Sequence, residues 1–408
     1  MKYHIYTLGC KFNLYESARI SEILDRAGYQ KSDPQDSDLI IINSCAVTSE
    51  AKRQSLQMAR HFKRISQAKI VFTGCAVHDD KIEDFDLVLG NGEKMRILEF
   101  MDKDGKICDN AYFLNDDMNY EIEKIPERTR GFLSIENGCN WGCTYCAIPH
   151  FRGTKIRSKP VNTVVEEAIR MVRSGIKEIV ISGINIALYN DNGLDLGRIL
   201  DLISKIDGDF RIRIGSIDPV NAIKIAWVFS ENQKMCHHIH LSLQSGSDKV
   251  LKDMGRPYRA EDAIRLAEKM REIDRFFAFS ADVICGFPTE NENDFFETVK
   301  LLKEIGVMRI HAFPFSPRRG TRATSLKNSI DGKEKKRRVN ILRSLSNELE
   351  HDLRRKIKSK QKILVEEKSG NLCSGFSDYY LKYTFKDSES KIGDFVEIEE
   401  GDVFEDIS

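Results

Sequence analysis

The sequence predicts an α/β protein in three parts: an N-terminal parallel α/β domain, a central partial (β/α)6 barrel similar to a TIM barrel lacking two units, and a small C-terminal β domain. Three observations predict it. Strand-like and helix-like stretches alternate along the first three hundred or so positions, which is the rhythm of parallel sheets covered by helices. A chain of 408 residues is too long for one ordinary core. The last fifty or so residues exchange that rhythm for short runs broken by Gly, Ser and Asp. The expected divisions are 1–115, 126–345 and 350–408.

In the first part, Tyr3 to Leu8 reads as a strand, Leu14 to Ala27 as an amphipathic helix that Asn13 could cap, Leu39 to Ile42 as a strand, Glu50 to Ile65 as a helix, and Ile70 to Phe72 as a strand. Each strand is followed by a cysteine: Gly9-Cys10, Ser44-Cys45 and Gly74-Cys75. Carboxyl ends of parallel strands gather at one edge, where ligands bind, so three distant thiols would converge there. The polar stretch from Met101 to Pro126 reads as a short strand or two and a linker.

The second part repeats strand then helix six times. Its strands are expected near Gly131–Glu136, Lys177–Ser182, Arg211–Ser216, His238–Leu243, Phe279–Cys285 and Arg309–Phe313, with helices such as Thr163–Ser174 and Ala260–Ile273 between them. A basic helix follows, from about Lys333 to Lys358. Short strands then fall at Lys362–Glu366, Tyr380–Phe385 and Phe395–Glu399.

Lys+Arg and Asp+Glu balance at 63 each, so any anionic partner has to be met by local patches. Such patches are Lys333 to Lys362, which read alone is a solvated helix face or a phosphate-binding one, and the groups Arg152, Lys155, Arg157, Lys159 and Arg318, Arg319, Arg322, expected at the barrel mouth. No apolar run of about 18 residues suggests a membrane span, and the first residues lack the pattern of an export signal. The expectation is a cytoplasmic protein. Its ten cysteines then read as metal ligands or reactive thiols rather than a disulfide framework.

Cys139-Asn-Trp-Gly-Cys143-Thr-Tyr-Cys146 is the most specific signal, placed directly after the first barrel strand. Three thiolates in one tight loop can hold three irons of a [4Fe-4S] cluster and leave the fourth open. An open iron can chelate S-adenosylmethionine (SAM), so that one electron yields a 5′-deoxyadenosyl radical. A zinc knuckle lacking its fourth ligand is the plainer alternative. Cys10, Cys45 and Cys75 taken singly are ordinary buried cysteines; taken together at strand ends ahead of such a loop, they read as the ligands of a second cluster. Cys108, Cys236, Cys285 and Cys373 lack any such spacing.

These features resemble the radical SAM methylthiotransferases, which combine an N-terminal domain with three cysteines, a radical SAM barrel and a C-terminal TRAM domain. The resemblance covers nearly the whole chain. Thr7-Leu8-Gly9-Cys10-Lys11-Phe12-Asn13-Leu14-Tyr15-Glu16-Ser17 is most similar to the branch acting on N6-threonylcarbamoyladenosine. The isopentenyladenosine branch usually has Gln-Met-Asn after the first cysteine, and the ribosomal-protein branch Pro-Lys-Asn. The resemblance implies two [4Fe-4S] clusters, on Cys10, Cys45, Cys75 and on Cys139, Cys143, Cys146, with Tyr145 at the adenine of SAM. Segments similar to family motifs end the barrel strands and nominate Gly183, Asn185, Ser216, Gln244, Ser245 and Asp282 for the SAM pocket; capping and strand-end satisfaction are the alternative for each. It further implies methylthiolation of C2 of that adenosine in a tRNA anticodon loop, a reductant protein of flavodoxin or ferredoxin type, a sulfur donor and no membrane partner. The rival readings are the same chemistry on isopentenyladenosine or on a ribosomal-protein aspartate, and a non-catalytic Fe–S protein that binds RNA or senses redox state.

Overall fold

A computed structural model describes residues 1–46, 49–78, 82, 85–109, 118, 122, 129–327, 330–399 and 403–404. The N-terminal part contains β1 (Lys2–Thr7), α1 (Lys11–Arg26), β2 (Gln30–Lys31), β3 (Leu39–Ser44), α2 (Ser49–Ile65), β4 (Lys69–Gly74), β5 (Leu87–Leu89) and β6 (Gly105–Ile107). The strands form one parallel sheet in the order β2-β1-β3-β4-β5-β6. Period-two alternation covers both faces: Leu39, Ile41 and Val71 pack with Ile20 and Leu24 of α1, while Ile40, Ile42 and Phe72 pack with Ala59 and Phe62 of α2. Most of the expected linker after Met101 lies outside the described residues.

The barrel follows with β7 (Arg130–Asn137), α3 (Ile148–Arg152), β8 (Arg157–Ser158), α4 (Val161–Arg173), β9 (Glu178–Gly183), β10 (Asn190–Asp191), β11 (Leu194–Asp195), α5 (Leu196–Ser204), β12 (Arg211–Ile214), β13 (Ser216–Ile217), α6 (Pro219–Lys224), α7 (Ala226–Glu231), β14 (His238–Gln244), α8 (Asp248–Asp253), α9 (Ala260–Ile273), β15 (Ala278–Cys285), α10 (Glu292–Glu304) and β16 (Val307–Pro314). Its wall comprises two sheets, β12-β9-β7-β8 and β13-β14-β15-β16. The expected third strand is split at Gly215, where a Cβ would lie 2.7 Å from the Ile181 carbonyl oxygen, so the chain crosses there without a side chain. Along β14, Ile239, Leu241 and Leu243 pack outward with Ala263, Leu266 and Met270 of α9, which leaves His238, His240, Ser242 and Gln244 on the inner face.

The basic helix is α11 (Gly332–Lys356), started by the Asp331 carboxylate accepting from Glu334 N–H. It is not wholly a solvated face: Lys335 and Arg338 are buried, and Arg338 pairs with Glu290, Glu292 and Glu334. The C-terminal part is an antiparallel sheet of β17 (Gln361–Ser369), β18 (Leu372–Phe376), β19 (Lys382–Lys386), β20 (Phe395–Ile398) and β21 (Val403–Phe404), in the order β20-β17-β18-β19-β21. β18 and β21 were not legible as separate strands.

Buried charges tie the three parts together. Glu178, at the start of β9, accepts from Arg211 Nε at 2.6 Å and Arg213 Nε at 2.9 Å. The same guanidiniums donate to the carbonyls of Phe376, Ser377 and Asp378, so the β18–β19 loop seals the barrel end opposite the strand carboxyl termini. At the side, Lys159 Nζ donates to the Tyr15 hydroxyl at 2.6 Å and to Glu167 at 2.6 Å, while the hydroxyl donates to Glu167 at 3.2 Å. Tyr15→Phe removes one member of this buried bridge between α1 and the barrel and is expected to lower unfolding stability by about 1–3 kcal/mol, as read from denaturant midpoints.

Candidate active site

Cys10, Cys45 and Cys75 lie on adjoining strand ends, because β1, β3 and β4 are neighbours in the sheet. Cys10 is the N-cap of α1, with extended backbone (φ −81°, ψ 171°). Asn13 is therefore not the cap. It lies inside the helix, buried, and its amide donates to the Leu8 carbonyl at 2.8 Å and the Ser44 carbonyl at 2.9 Å, pinning the β1 and β3 ends together. Gly9, at φ +108°, faces Cys45 so closely that a Cβ would fall 2.9 Å from its Sγ. A side chain there would fill the space between the Cys10 and Cys45 loops.

Arg152 belongs to this site and not to the barrel rim. It is 1% exposed, donates to Glu16 at 2.5 and 2.8 Å and to Asn13 at 2.8 Å, and stacks over Phe12 at 4.6 Å. Its charge reaches Cys10 and Cys75, and its buried Nε–H has no acceptor among the described residues. Burial pushes the Cys10 thiol above its ordinary value, with Arg152 opposing. A cation with an unspent donor beside three thiols suits an anionic iron–sulfur cluster, whose sulfurs accept hydrogen bonds and whose irons hold cysteines as thiolates.

The second triad follows β7. The Asn185 amide donates to Cys139 Sγ at 3.7 Å, and Arg256 Nη1 donates to Cys143 Sγ at 3.3 Å while stacking on Trp141 at 4.8 Å. Burial pushes the Cys146 thiol up to about 12, with Cys143 and Cys139 adding to the shift. These three thiols are thus close-set, free and supplied with donors, which again suits a cluster. Behind them is Glu136, buried, with Oε2 accepting from the Asn185 N–H at 2.6 Å and Oε1 without a partner among the described residues. Burial holds its carboxyl well above the usual range, with the Asn185 hydrogen bond opposing.

A cavity of about 270 Å³ reaches Cys146 of the second triad and Ala46, the neighbour of Cys45 in the first. Cys146 and Tyr145 line it on one side and Ala46, the residue after Cys45, on the other; Gln244, Asp282, Phe313 and Arg318 complete the wall. Gln244 sits at φ 66°, beside a register shift in β14, a left-handed conformation that costs a non-glycine residue about 1–2 kcal/mol and turns its side chain to the cavity. Asp282 lies 3.2 Å from His240 and 3.4 Å from His311, and hydrogen bonds from both imidazoles outweigh burial and hold its carboxyl far below the usual range.

The other nominated residues are placed differently. The Ser245 hydroxyl lies 3.2 Å from that of Thr298 on α10 and accepts from Ser247 N–H, away from the cavity. Gly183 has Glu136 as its close neighbour, with a Cβ 3.1 Å from Oε2, so its smallness accommodates that carboxylate. Ser216 is exposed on β13, outside the cavity lining. Of the first basic group, Arg157 and Lys159 are buried like Arg152, and only Lys155 is exposed; Arg319 and Arg322 are exposed, as expected of a rim.

The geometry can be set beside known proteins. Residues 133–302 match the radical SAM superfamily, and residues 2–89 match the uncharacterized protein family UPF0004. The threonylcarbamoyladenosine tRNA methylthiotransferase MtaB of Thermotoga maritima is 37% identical over 96% of this chain and 92% of its own length. The chain belongs to the radical SAM methylthiotransferase family. The tRNA-2-methylthio-N(6)-dimethylallyladenosine synthase of Bartonella bacilliformis is 33% identical over 90% of the chain and 86% of its own length. Among solved structures, the radical SAM methyltransferase TsrM from Kitasatospora setae shares the fold at 12% identity, with a TM-score of 0.61 over 79% of this chain and 77% of that one. This methylthiotransferase is accordingly an α/β enzyme that uses SAM and a [4Fe-4S] cluster. Among the described residues, no helix is long and apolar enough to cross a membrane.

Glu136, His240 and His311 were not found from sequence, and Arg152 was singled out only as a rim cation, not as a partner of Glu16. Glu136 lies three residues before Cys139 without a motif of its own, and the alternation His238-Ile-His240 was the one available signal for the histidines.

Proposed function

We propose that the enzyme transfers a methylthio group to C2 of N6-threonylcarbamoyladenosine next to the anticodon of tRNA, with two [4Fe-4S] clusters and two molecules of SAM. The observation that carries this reading is the shared cavity, in which Ala46 of one cysteine loop and Cys146 of the other line the same space. When bound, the clusters and SAM supply hydrogen abstraction from the adenine and a methylated sulfur to replace that hydrogen. The chain's own residues hold and position. Cys10, Cys45 and Cys75 would ligate one cluster beside Arg152, and Cys139, Cys143 and Cys146 the other beside Arg256 and Asn185. Tyr145, Gln244 and Asp282 face the space SAM would fill. Lys155, Arg318, Arg319 and Arg322 meet loop phosphates, and Phe313, 42% exposed at the cavity wall, offers a face to a splayed base. Bringing both reacting centres to one narrow space replaces encounter by placement and limits water.

The t6A branch is favoured by the 37% identity to the MtaB of Thermotoga maritima. A reductant of flavodoxin or ferredoxin type, a sulfur donor, a cytoplasmic site of action and divisions at 1–115, 126–345 and 350–408 complete the reading. Nucleoside mass spectrometry of tRNA from cells lacking the gene tests it. The methylthio form of threonylcarbamoyladenosine should vanish and the unthiolated nucleoside accumulate; loss of the methylthio isopentenyl form instead would transfer the enzyme to the other branch.

A further inference from the structure

Beneath the shared cavity the barrel interior stays open and becomes cationic. His311 on β16 keeps 44% side-chain exposure. The floor centres on Tyr380, from whose ring the guanidiniums of Arg213, Arg309 and Arg130 lie 4.8, 5.1 and 5.5 Å away, and the His238 ring 4.9 Å. Burial would raise the Tyr380 hydroxyl, yet the charges of Arg130 and Lys11 bring it below its ordinary value.

Lys11 enters from the N-terminal part, as the first residue of α1 and the one directly after Cys10. Its ammonium is within electrostatic reach of Tyr380, Arg213, Glu178, Arg130 and His238. The side chain is exposed to solvent, and its reach to these floor residues puts it on the lumen side of the barrel. The arginines around it are committed: Arg213 to Glu178 at 2.9 Å, Arg130 to Glu366 at 2.6 Å and Arg309 to Glu350 at 3.3 Å. Lys11 makes no hydrogen bond or close ion pair among the described residues.

We infer that Lys11 is a specificity residue whose ammonium pairs with a carboxylate on the N6 arm of the substrate adenine. The inference rests on the substrate proposed above, whose threonylcarbamoyl arm ends in a carboxylate beside a hydroxyl. With phosphates held by the rim arginines and C2 presented between the cysteine loops, the N6 arm lies on the far side of the purine from the ribose and points into the lumen. A carboxylate arriving there finds an unspent cation with further positive charge behind it, and a charge-assisted hydrogen bond is the strong kind. An apolar arm would desolvate the ammonium without replacing its hydrogen bonds, so the same side chain rejects it.

The test is equilibrium binding of the anaerobic holoprotein, without SAM, to an anticodon stem-loop bearing N6-threonylcarbamoyladenosine and to its methyl ester, which keeps the size and removes the charge. Wild type should prefer the acid by roughly 10- to 100-fold, the range of one charge-assisted hydrogen bond. Lys11→Met should bring that ratio to about one, and Lys11→Arg should keep most of it. The ratio is taken within each protein, so a difference in cluster content cancels. No acid preference in wild type, or an undiminished one in Lys11→Met, overturns the inference. Turnover separates this from the substrate reading: if wild type thiolates the isopentenyl stem-loop and neither threonylcarbamoyl form, the reading of the substrate has failed, whereas thiolation of the acid form with an unchanged ratio in Lys11→Met sinks the role of Lys11 alone.

Discussion

Cys139→Ala is expected to abolish both SAM cleavage and methylthio transfer, while Cys10→Ala is expected to keep part of the cleavage and lose all transfer. The asymmetry follows from where each thiol lies. Cys139 is one of three thiols in a single loop at the end of β7, held by the Asn185 amide at 3.7 Å. A cubane with one open iron has no spare protein ligand, so losing one of three thiolates removes the centre that binds and reduces SAM. Cys10 belongs to the N-terminal part, where it caps α1 beyond the end of β1, and takes no part in that loop. The measurements are 5′-deoxyadenosine release by the dithionite-reduced proteins and thiolated nucleoside by mass spectrometry, with iron content and thermal melts reporting folding. Full thiolation by either variant would overturn the division between the two triads, as would complete loss of cleavage in a folded Cys10→Ala protein.

The cysteines were legible because their message is local: spacing within one loop, or a thiol after each strand end. The barrel strands were legible for the same reason, since β14 alternates apolar Ile239, Leu241 and Leu243 with polar residues and β15 is a largely apolar run closed by Gly286. What stayed hidden depends on partners remote in sequence. Arg152, Arg157 and Lys159 look like a phosphate-binding run, yet Arg152 meets Glu16 across 136 positions and Lys159 meets Tyr15 across 144. A sequence displays charge but not the opposite charge that buries it. Ser245 reads as a strand-end ligand because nothing nearby announces Thr298, and the sealed barrel floor joins Arg213 to Ser377 across 164 positions. The departures at Arg152, Lys159 and Arg213 lie where one part of the chain packs on another, which is where local pattern carries least information.

Arg152 should show how far the first cysteine site depends on that packing. Arg152→Met keeps a long apolar stem over Phe12 and removes the guanidinium from Glu16, which is 2% exposed and left with Lys94 at 2.5 Å as its remaining cation. Removing one partner of a buried pair leaves charge uncompensated, and the expected loss of stability is about 3–5 kcal/mol. Acid should expose it further. Burial favours the protonated form of Glu16, but Arg152 and Lys94 outweigh burial and hold its carboxyl below the usual range. That pairing contributes stability above the unfolded carboxyl value and loses it as pH falls through the folded one. With Arg152 gone the folded value rises, so the acid-unfolding midpoint moves to higher pH. The same guanidinium holds the unspent Nε–H whose charge reaches Cys10 and Cys75, so iron retained by the N-terminal triad should fall more than iron on Cys139, Cys143 and Cys146. Mössbauer or EPR quantitation in a background lacking the other triad separates the two sites. A variant with wild-type acid midpoint and full N-terminal iron would mean that Lys94 and solvent compensate Glu16, and that the thiols hold their cluster without the cation.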